Sequence, residues 1–245
     1  MISLSIIIPT FNDEKIIKKK ILFLVKKIKQ LKVNYEIIII NDGSIDNTKL
    51  EILSVKNEKI FLINNLENKG KSYSIRRGLK KSKFNHVVLI DSDLPYFSKF
   101  SLIVKKLKKN YDFIFINRRH LKSRVTNNNF NLYKIFRYLA GYVISVLLKL
   151  TIDLDIGKVD TQAGLKGFKK IKNFNNLKFI SNKFFLDIEL IYLYTKLSKK
   201  IISIPVIYKI SSNSSIKILN IKKNIQIILE LFKIIFNIIS EKKKS

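Results

Sequence analysis

The chain has 245 residues, 47% of them hydrophobic, enough to bury a sizeable core in one domain with a peripheral extension. Lys and Arg outnumber Asp and Glu by 48 to 18, a formal charge of +30, which favours anionic partners: nucleotides, lipid phosphates or an anionic membrane surface. No RRM, KH, zinc-finger or Arg-rich signature accompanies that charge, so no specific nucleic acid is expected, and the absence of Cys excludes a disulfide framework, a thiolate metal site and a Cys nucleophile.

Met1 leads straight into the first apolar run, residues 3–8, without a basic leader or a small-residue cleavage site, so no signal peptide is expected, and the lack of Cys gives the separate expectation of a cytosolic-facing protein. Four more short, β-branched runs follow at residues 36–40, 59–63, 86–90 and 112–116. Between the first two, Ile17, Ile21, Leu24, Ile28 and Leu31 alternate steps of four and three, the spacing of one helix face, with Asn12 as its expected cap and Asp13 and Glu14 in its first turn. Alternating strands and helices imply an α/β fold with a mostly parallel sheet covered on both faces.

Ligands of such sheets bind beyond the carboxyl ends of the strands. Each run is indeed followed by polar or turn residues: Pro9-Thr10-Phe11-Asn12-Asp13, then Asn41-Asp42-Gly43-Ser44 with Asp46 and Thr48, then, a little after the third run, Asn68-Lys69-Gly70-Lys71, then Asp91-Ser92-Asp93, then Asn117-Arg118-Arg119. Two carboxylates two residues apart at a strand end suit Mg²⁺ or Mn²⁺, hard cations that keep part of their shell for water and substrate phosphates. A solvated turn is the plain alternative for Asp91 and Asp93 alone. Nine of the 18 acids fall in these motifs or in two later ones: Asp13, Glu14, Asp42, Asp46, Asp91, Asp93, Asp160, Asp187 and Glu189. Neither His86, at the start of a buried strand, nor His120 is assigned a catalytic role.

Residues 127–150 read as a mostly apolar helical stretch, followed by the loop Asp160-Thr161-Gln162-Ala163-Gly164-Leu165-Lys166 and by Phe185-Leu186-Asp187-Ile188-Glu189-Leu190. Residues 216–239 alternate Ile and Leu with Lys, an amphipathic composition suited to a membrane interface or to core packing. The expected division is therefore a domain over residues 1–210 and a helical tail over residues 211–245. Neither apolar stretch offers an uninterrupted span, so the expectation is a peripheral protein on the cytoplasmic face of the membrane.

Taken in order, the motifs at residues 9–13, 41–48, 68–71, 91–93 and 160–166 resemble the inverting family 2 glycosyltransferases with the GT-A fold, and among these the polyprenyl-phosphate (dolichyl-phosphate) glucosyl- and mannosyltransferases. The resemblance covers roughly residues 3–210 and implies hexosyl transfer from a nucleotide-diphosphate sugar, UDP-glucose or GDP-mannose, to a polyprenyl phosphate. It implies further that Pro9, Thr10, Phe11, Asp13, Lys71 and Ser92 border the nucleotide sugar and that Asp42 reads the base. Asp91 and Asp93 would hold the metal, and Arg118 and Arg137 the acceptor phosphate. Asn41, Ala163 and Pro95 depart from common residues of the family, and Pro95 replaces a third metal-ligating side chain often seen in the mannosyltransferases. Transfer to a sugar hydroxyl is the second enzymatic reading and would need a base, for which Asp187 and Glu189 are candidates. A basic binding protein without catalysis is the third.

Overall fold

In the computed structural model the described residues are 2–126, 139, 141–146, 149, 151, 160–209 and 221–242, with side chains at 221–224 excluded. Five strands form where the apolar runs predict them: β1 (Ser3–Thr10), β2 (Asn34–Asn41), β3 (Ile60–Asn64), β4 (His86–Ile90) and β5 (Phe113–Ile116). Beyond them lie a short β6 (Arg124–Val125), β7 (Leu165–Lys169), β8 (Ile201–Ile204) and β9 (Ile207–Tyr208). Seven strands make one sheet in the order β3-β2-β1-β4-β7-β5-β8, and β6 pairs with β9 apart from it. All neighbours in the large sheet are parallel except at β7, which runs antiparallel to both β4 and β5.

The near-continuous apolar character of β1, β2 and β4 follows from burial on both faces. Alternate residues point to opposite sides: Ile6, Ile8, Ile37 and Ile39 enter one core with α1 (Ile17–Gln30) and α4 (Phe100–Lys108), while Ile7, Ile38 and Ile40 enter the other with α3 (Lys71–Lys81) and α5 (Leu186–Lys196). A short α2 (Thr48–Leu53) follows β2. In α1 the expected stripe is buried at Ile17, Ile21, Leu24 and Ile28, and Leu31 is the residue that ends the helix.

Two local expectations are corrected. Asn12 does not cap α1, which begins at Ile17 with no side-chain cap and no acid in its first turn. Instead Asn12 adopts a left-handed backbone (φ 54°), its side-chain oxygen accepts the Ile45 N–H at 3.0 Å, and Glu14 accepts the Asn47 N–H, so these polar residues tie the loop after β1 to the loop after β2. The motif at 160–166 is not wholly a loop either, because Leu165 and Lys166 open β7.

The C-terminal helix α6 (Ile221–Lys242) has two apolar faces. Ile227, Leu231, Ile234, Ile235 and Ile238 are buried in the same core as β4 and α5. Ile225, Ile228, Leu229, Phe232, Phe236 and Ile239 are exposed. No helix of the described residues is long and apolar enough to cross a membrane. Most of the apolar stretch expected over residues 127–150, Arg137 included, lies outside the described residues, although residues 141–146 are helical.

Candidate active site

Antiparallel β7 explains how a motif seventy residues downstream joins the one after β4. Its start lies at the carboxyl end of β4, with Ile90 opposite Leu165, and the Asp91 N–H donates to the Gly164 carbonyl at 3.0 Å. The approach is close: a Cβ on Gly164 would stand 2.3 Å from an Asp91 carboxylate oxygen, so only glycine fits there. Asp91, Ser92 and Asp93 thus leave the sheet beside residues 160–164, and Leu94 and Tyr96, just beyond, both take left-handed backbone angles (φ 55° and 56°). Non-glycine residues hold such angles only where the surrounding packing imposes them, a feature concentrated at functional sites.

The strand-end loops are knitted together by their own polar side chains. The Asp13 carboxylate accepts hydrogen bonds from Thr10 (2.6 Å) and Ser92 (2.5 Å), which joins the end of β1 to the Asp91–Asp93 turn. The Asp13 N–H donates to Thr48 at 2.7 Å, and the Asn12 N–H to Ser44 at 2.9 Å. Asp42 is buried, and its carboxylate accepts from the Asn65 side chain (2.6 Å) and from the N–H groups of Lys69 (3.0 Å) and Gly70 (2.9 Å). Three of about four acceptor positions of its carboxylate are therefore occupied. Pro9 lines a small cavity behind Asp91 with Lys71, Lys166 and Asp187, while Phe11 is exposed.

Charges at this edge alternate. Lys71 Nζ lies 2.6 Å from an Asp91 carboxylate oxygen. Behind it, Lys166 and Asp187 form a buried pair at 3.1 Å, with Lys166 also donating to the Ala163 carbonyl at 2.6 Å. Arg118 grips Asp160 with two N–H groups, Nε and one terminal nitrogen, the latter at 3.0 Å, with Tyr96 close enough to feel its charge. Burial works against the charge of Asp91, but Lys71, Lys166 and Arg118 outweigh it and hold the carboxyl below its ordinary range. Asp160 is buried too, and Arg118 likewise keeps it low. Asp93 is the opposite case: burial of part of the group and the nearby charge of Asp91 push it up.

That unbalanced acid beside Asp91 is the test of a metal site. Among the described residues no group of three or more acids or histidines is placed to enclose an ion. Two carboxylates at an open strand end, one exposed and repelled by the other, fit a Mg²⁺ or Mn²⁺ ion that takes its remaining oxygens from water and a diphosphate. The residues present therefore fit the group.

The structure brings Pro9, Thr10, Asp13, Lys71, Asp91, Ser92, Asp93 and Arg118 to one edge. It also adds partners whose positions in the sequence carry no direct sign of their role: Tyr96 and Asp160 for Arg118, Asn65 for Asp42, and Lys166 for Asp187. Asp160 lay in a recognised motif without an assigned role, and Asn65 sits in a polar stretch with nothing to set it apart. Of the two candidate bases, Asp187 is committed to Lys166, and Glu189 accepts the N–H groups of Ile180 (2.6 Å) and Ser181 (2.8 Å).

Residues 5–152 match the glycosyl transferase family 2 domain. A dolichyl-phosphate beta-glucosyltransferase of Dictyostelium discoideum is 30% identical over 224 residues, covering 84% of this chain and 66% of that protein. An uncharacterized glycosyltransferase of Synechocystis is 30% identical over 148 residues, covering 59% of this chain, and one of Bacillus subtilis is 28% identical over 160 residues, covering 64%. The chain spans only 46% and 48% of those two proteins. Among solved structures, glucosyl-3-phosphoglycerate synthase from Mycobacterium tuberculosis in complex with UDP superimposes with a TM-score of 0.62 at 16% identity, covering 94% of this chain and 79% of that one. The same enzyme in complex with Mn²⁺, UDP-glucose and phosphoglyceric acid gives 0.62 at 17% identity, again covering 94% and 79%. The chain belongs to glycosyl transferase family 2 and has a GT-A-like fold.

Proposed function

We propose that this glycosyltransferase moves a hexose from a nucleotide-diphosphate sugar to a polyprenyl phosphate, with inversion at the anomeric carbon. The observation that carries the choice of acceptor is the engagement of Asp187 with Lys166 and of Glu189 with two backbone N–H groups. A sugar hydroxyl needs a base to take its proton, whereas a phosphate monoester is already ionised at neutral pH. The 30% identity to a dolichyl-phosphate beta-glucosyltransferase supports the same acceptor and makes UDP-glucose the first donor to try, with GDP-mannose the second.

In the displacement a phosphate oxygen of the acceptor attacks the anomeric carbon, and the carbon–oxygen bond to the diphosphate breaks with its electron pair leaving on the nucleotide. Asp91 and Asp93 would hold Mg²⁺ or Mn²⁺, which when bound neutralises charge on the leaving diphosphate. Lys71 adds a second positive charge from the start of α3, where Asp91 already orients it. Asp13, Thr10 and Ser92 fix the edge on which the sugar diphosphate lies, Pro9 and Phe11 border the nucleotide, and Asp42 offers its remaining acceptor position to the base. Arg118 spends two of its five donors on Asp160, which locks the guanidinium plane and leaves other N–H groups for the acceptor phosphate. Arg137, outside the described residues, would be a second residue for the acceptor phosphate.

The lipid acceptor places this edge at a membrane. The outward stripe of α6, from Ile225 to Ile239, with Lys233 beside it, supplies apolar contact and charge for an anionic surface on the cytoplasmic side. In this reading residues 211–245 add the membrane-facing surface to a transferase domain over residues 1–210. The test is a panel of UDP- and GDP-sugars with a polyprenyl phosphate and Mg²⁺ or Mn²⁺, followed by mass analysis of the lipid. A hexosylated lipid phosphate whose sugar is released by mild acid supports the reading; product on a sugar-hydroxyl acceptor alone would overturn it.

A further inference from the structure

The backbone of residues 180–186 is held almost entirely by side chains. Seven successive N–H groups donate to side-chain oxygens: Ile180 and Ser181 to Glu189, Asn182 and Lys183 to one oxygen of Glu230 (2.6 and 2.8 Å), Phe184 to the other (3.0 Å), and Phe185 and Leu186 to the hydroxyls of Ser181 and Ser72 (2.9 and 3.2 Å). Glu189 is on the adjacent α5, but Glu230 is on α6, 46 to 48 residues beyond the groups it binds.

The same segment grips the start of α3. The carbonyls of Asn182 and Lys183 accept the N–H groups of Tyr73 (2.9 Å) and Ser72 (3.1 Å), donors in the first helical turn that have no partner within the helix. Arg76, one turn further along, donates to the Phe179 carbonyl at 2.9 Å and to the Asn182 side chain. Gly70 is pressed against this segment: a Cβ there would lie 2.7 Å from the Asn182 oxygen and 2.9 Å from Lys183 Cα. With the Gly70, Ser72 and Tyr73 N–H groups already taken, little of the α3 end is left of the kind that commonly cradles phosphate. Its contribution to the site is Lys71, at a position set by what holds that first turn.

We propose that Glu230 is a positioning residue for the donor site: from the C-terminal helix it fixes residues 182–184, these fix Gly70 and the first turn of α3, and that turn sets where Lys71 meets Asp91 and the nucleotide diphosphate. The inference rests on the transfer reading. A carboxylate that merely stabilised the fold would lower the melting temperature without changing the affinity of the folded protein for nucleotide.

The test is the affinity of the full chain for UDP and GDP with Mn²⁺, measured by calorimetry well below the melting temperature, together with hydrogen exchange at the Ser72 and Tyr73 amides. Glu230→Gln keeps shape and length but replaces one acceptor oxygen by a donor facing backbone N–H groups. It should bind nucleotide about tenfold more weakly and lose protection at Ser72 and Tyr73, while the β1 and β4 amides keep theirs. Glu241→Gln, on the same helix but paired with Lys196 at the surface, should leave affinity unchanged. Should Glu230→Gln fail to fold, Arg76→Met loosens the same segment from a partly exposed position and should weaken binding about threefold. A wild-type chain that binds neither nucleotide would overturn the transfer reading and the inference with it. Normal wild-type binding with unchanged affinity in Glu230→Gln, or in Arg76→Met where that variant stands in, would overturn the inference alone.

Discussion

Two carboxylates hold the turn that carries Lys71, and they reach it by opposite routes. Asp42 stands at the end of β2 and takes the Lys69 and Gly70 N–H groups directly. Glu230 comes from α6 and acts through the backbone of residues 182–184, whose carbonyls then take the Ser72 and Tyr73 N–H groups. The near side of the site is therefore made by strand ends, whose direction is set by the sheet, and the far side by helices packed on the core. A site built in this way separates chemistry from placement: near-side changes should strike the reaction, far-side changes the geometry or the surface.

The largest effect is expected on the near side. Asp93→Asn should lower transfer about a thousandfold, with the melting temperature near that of the wild type, because Asp93 is exposed and packs little core. A chelator should mimic it, and Mn²⁺ or Mg²⁺ should reverse the chelator. Product formation alongside a thermal melt checks both, and near-normal turnover of folded Asp93→Asn would remove the metal assignment.

Next comes the buried pair between the two sides. Lys166→Met leaves Asp187 charged and unpartnered at a side chain only 5% exposed, which should cost about 3 kcal/mol of stability. Adding Asp187→Leu should recover most of the loss, since removing both charges leaves nothing uncompensated. Denaturant titration of the two variants decides this; a double variant as unstable as the single one would show that the pair matters through packing and not charge.

Arg118→Lys should reduce transfer about tenfold, mainly as a weaker response to the lipid phosphate, because an ammonium cannot keep the two-pronged hold on Asp160 while facing a second anion. Steady-state kinetics with each substrate varied in turn locates the loss; equal kinetics would mean that Arg118 serves only Asp160. The smallest effect belongs to the outer stripe of α6. Phe232→Ser with Phe236→Ser should weaken binding to anionic vesicles about fivefold and leave transfer to a short soluble acceptor unchanged, since both rings are more than half exposed. Flotation assays with and without salt would show this, and unaltered vesicle binding would leave that face to another partner.

The same contrast explains what could be read from the chain. The five apolar runs and the polar residues after each mark the near side, because a strand end projects its next few residues onto the ligand edge whatever the rest of the fold does. Antiparallel β7 was hidden, since Leu165 to Lys169 is short, contains Gly167 and has no β-branched residue. The cap expected at Asn12 failed because Ser44 and Ile45, on a neighbouring loop, offered its polar groups better partners than the helix did. Glu230 could not be found at all from local pattern: it is one of two acids in α6, set between Leu229 and Leu231, and its meaning depends on three N–H groups that only the packed helix brings near.

The reaction itself is open to one decisive look. Carbon and phosphorus NMR of the product made from UDP-glucose and a short-chain polyprenyl phosphate would show the bond formed and its configuration together. Inverting transfer to a lipid phosphate gives an anomeric carbon coupled to a single phosphorus, with configuration inverted relative to the donor. An anomeric carbon with no phosphorus coupling, or one that retained the donor's configuration, would contradict it.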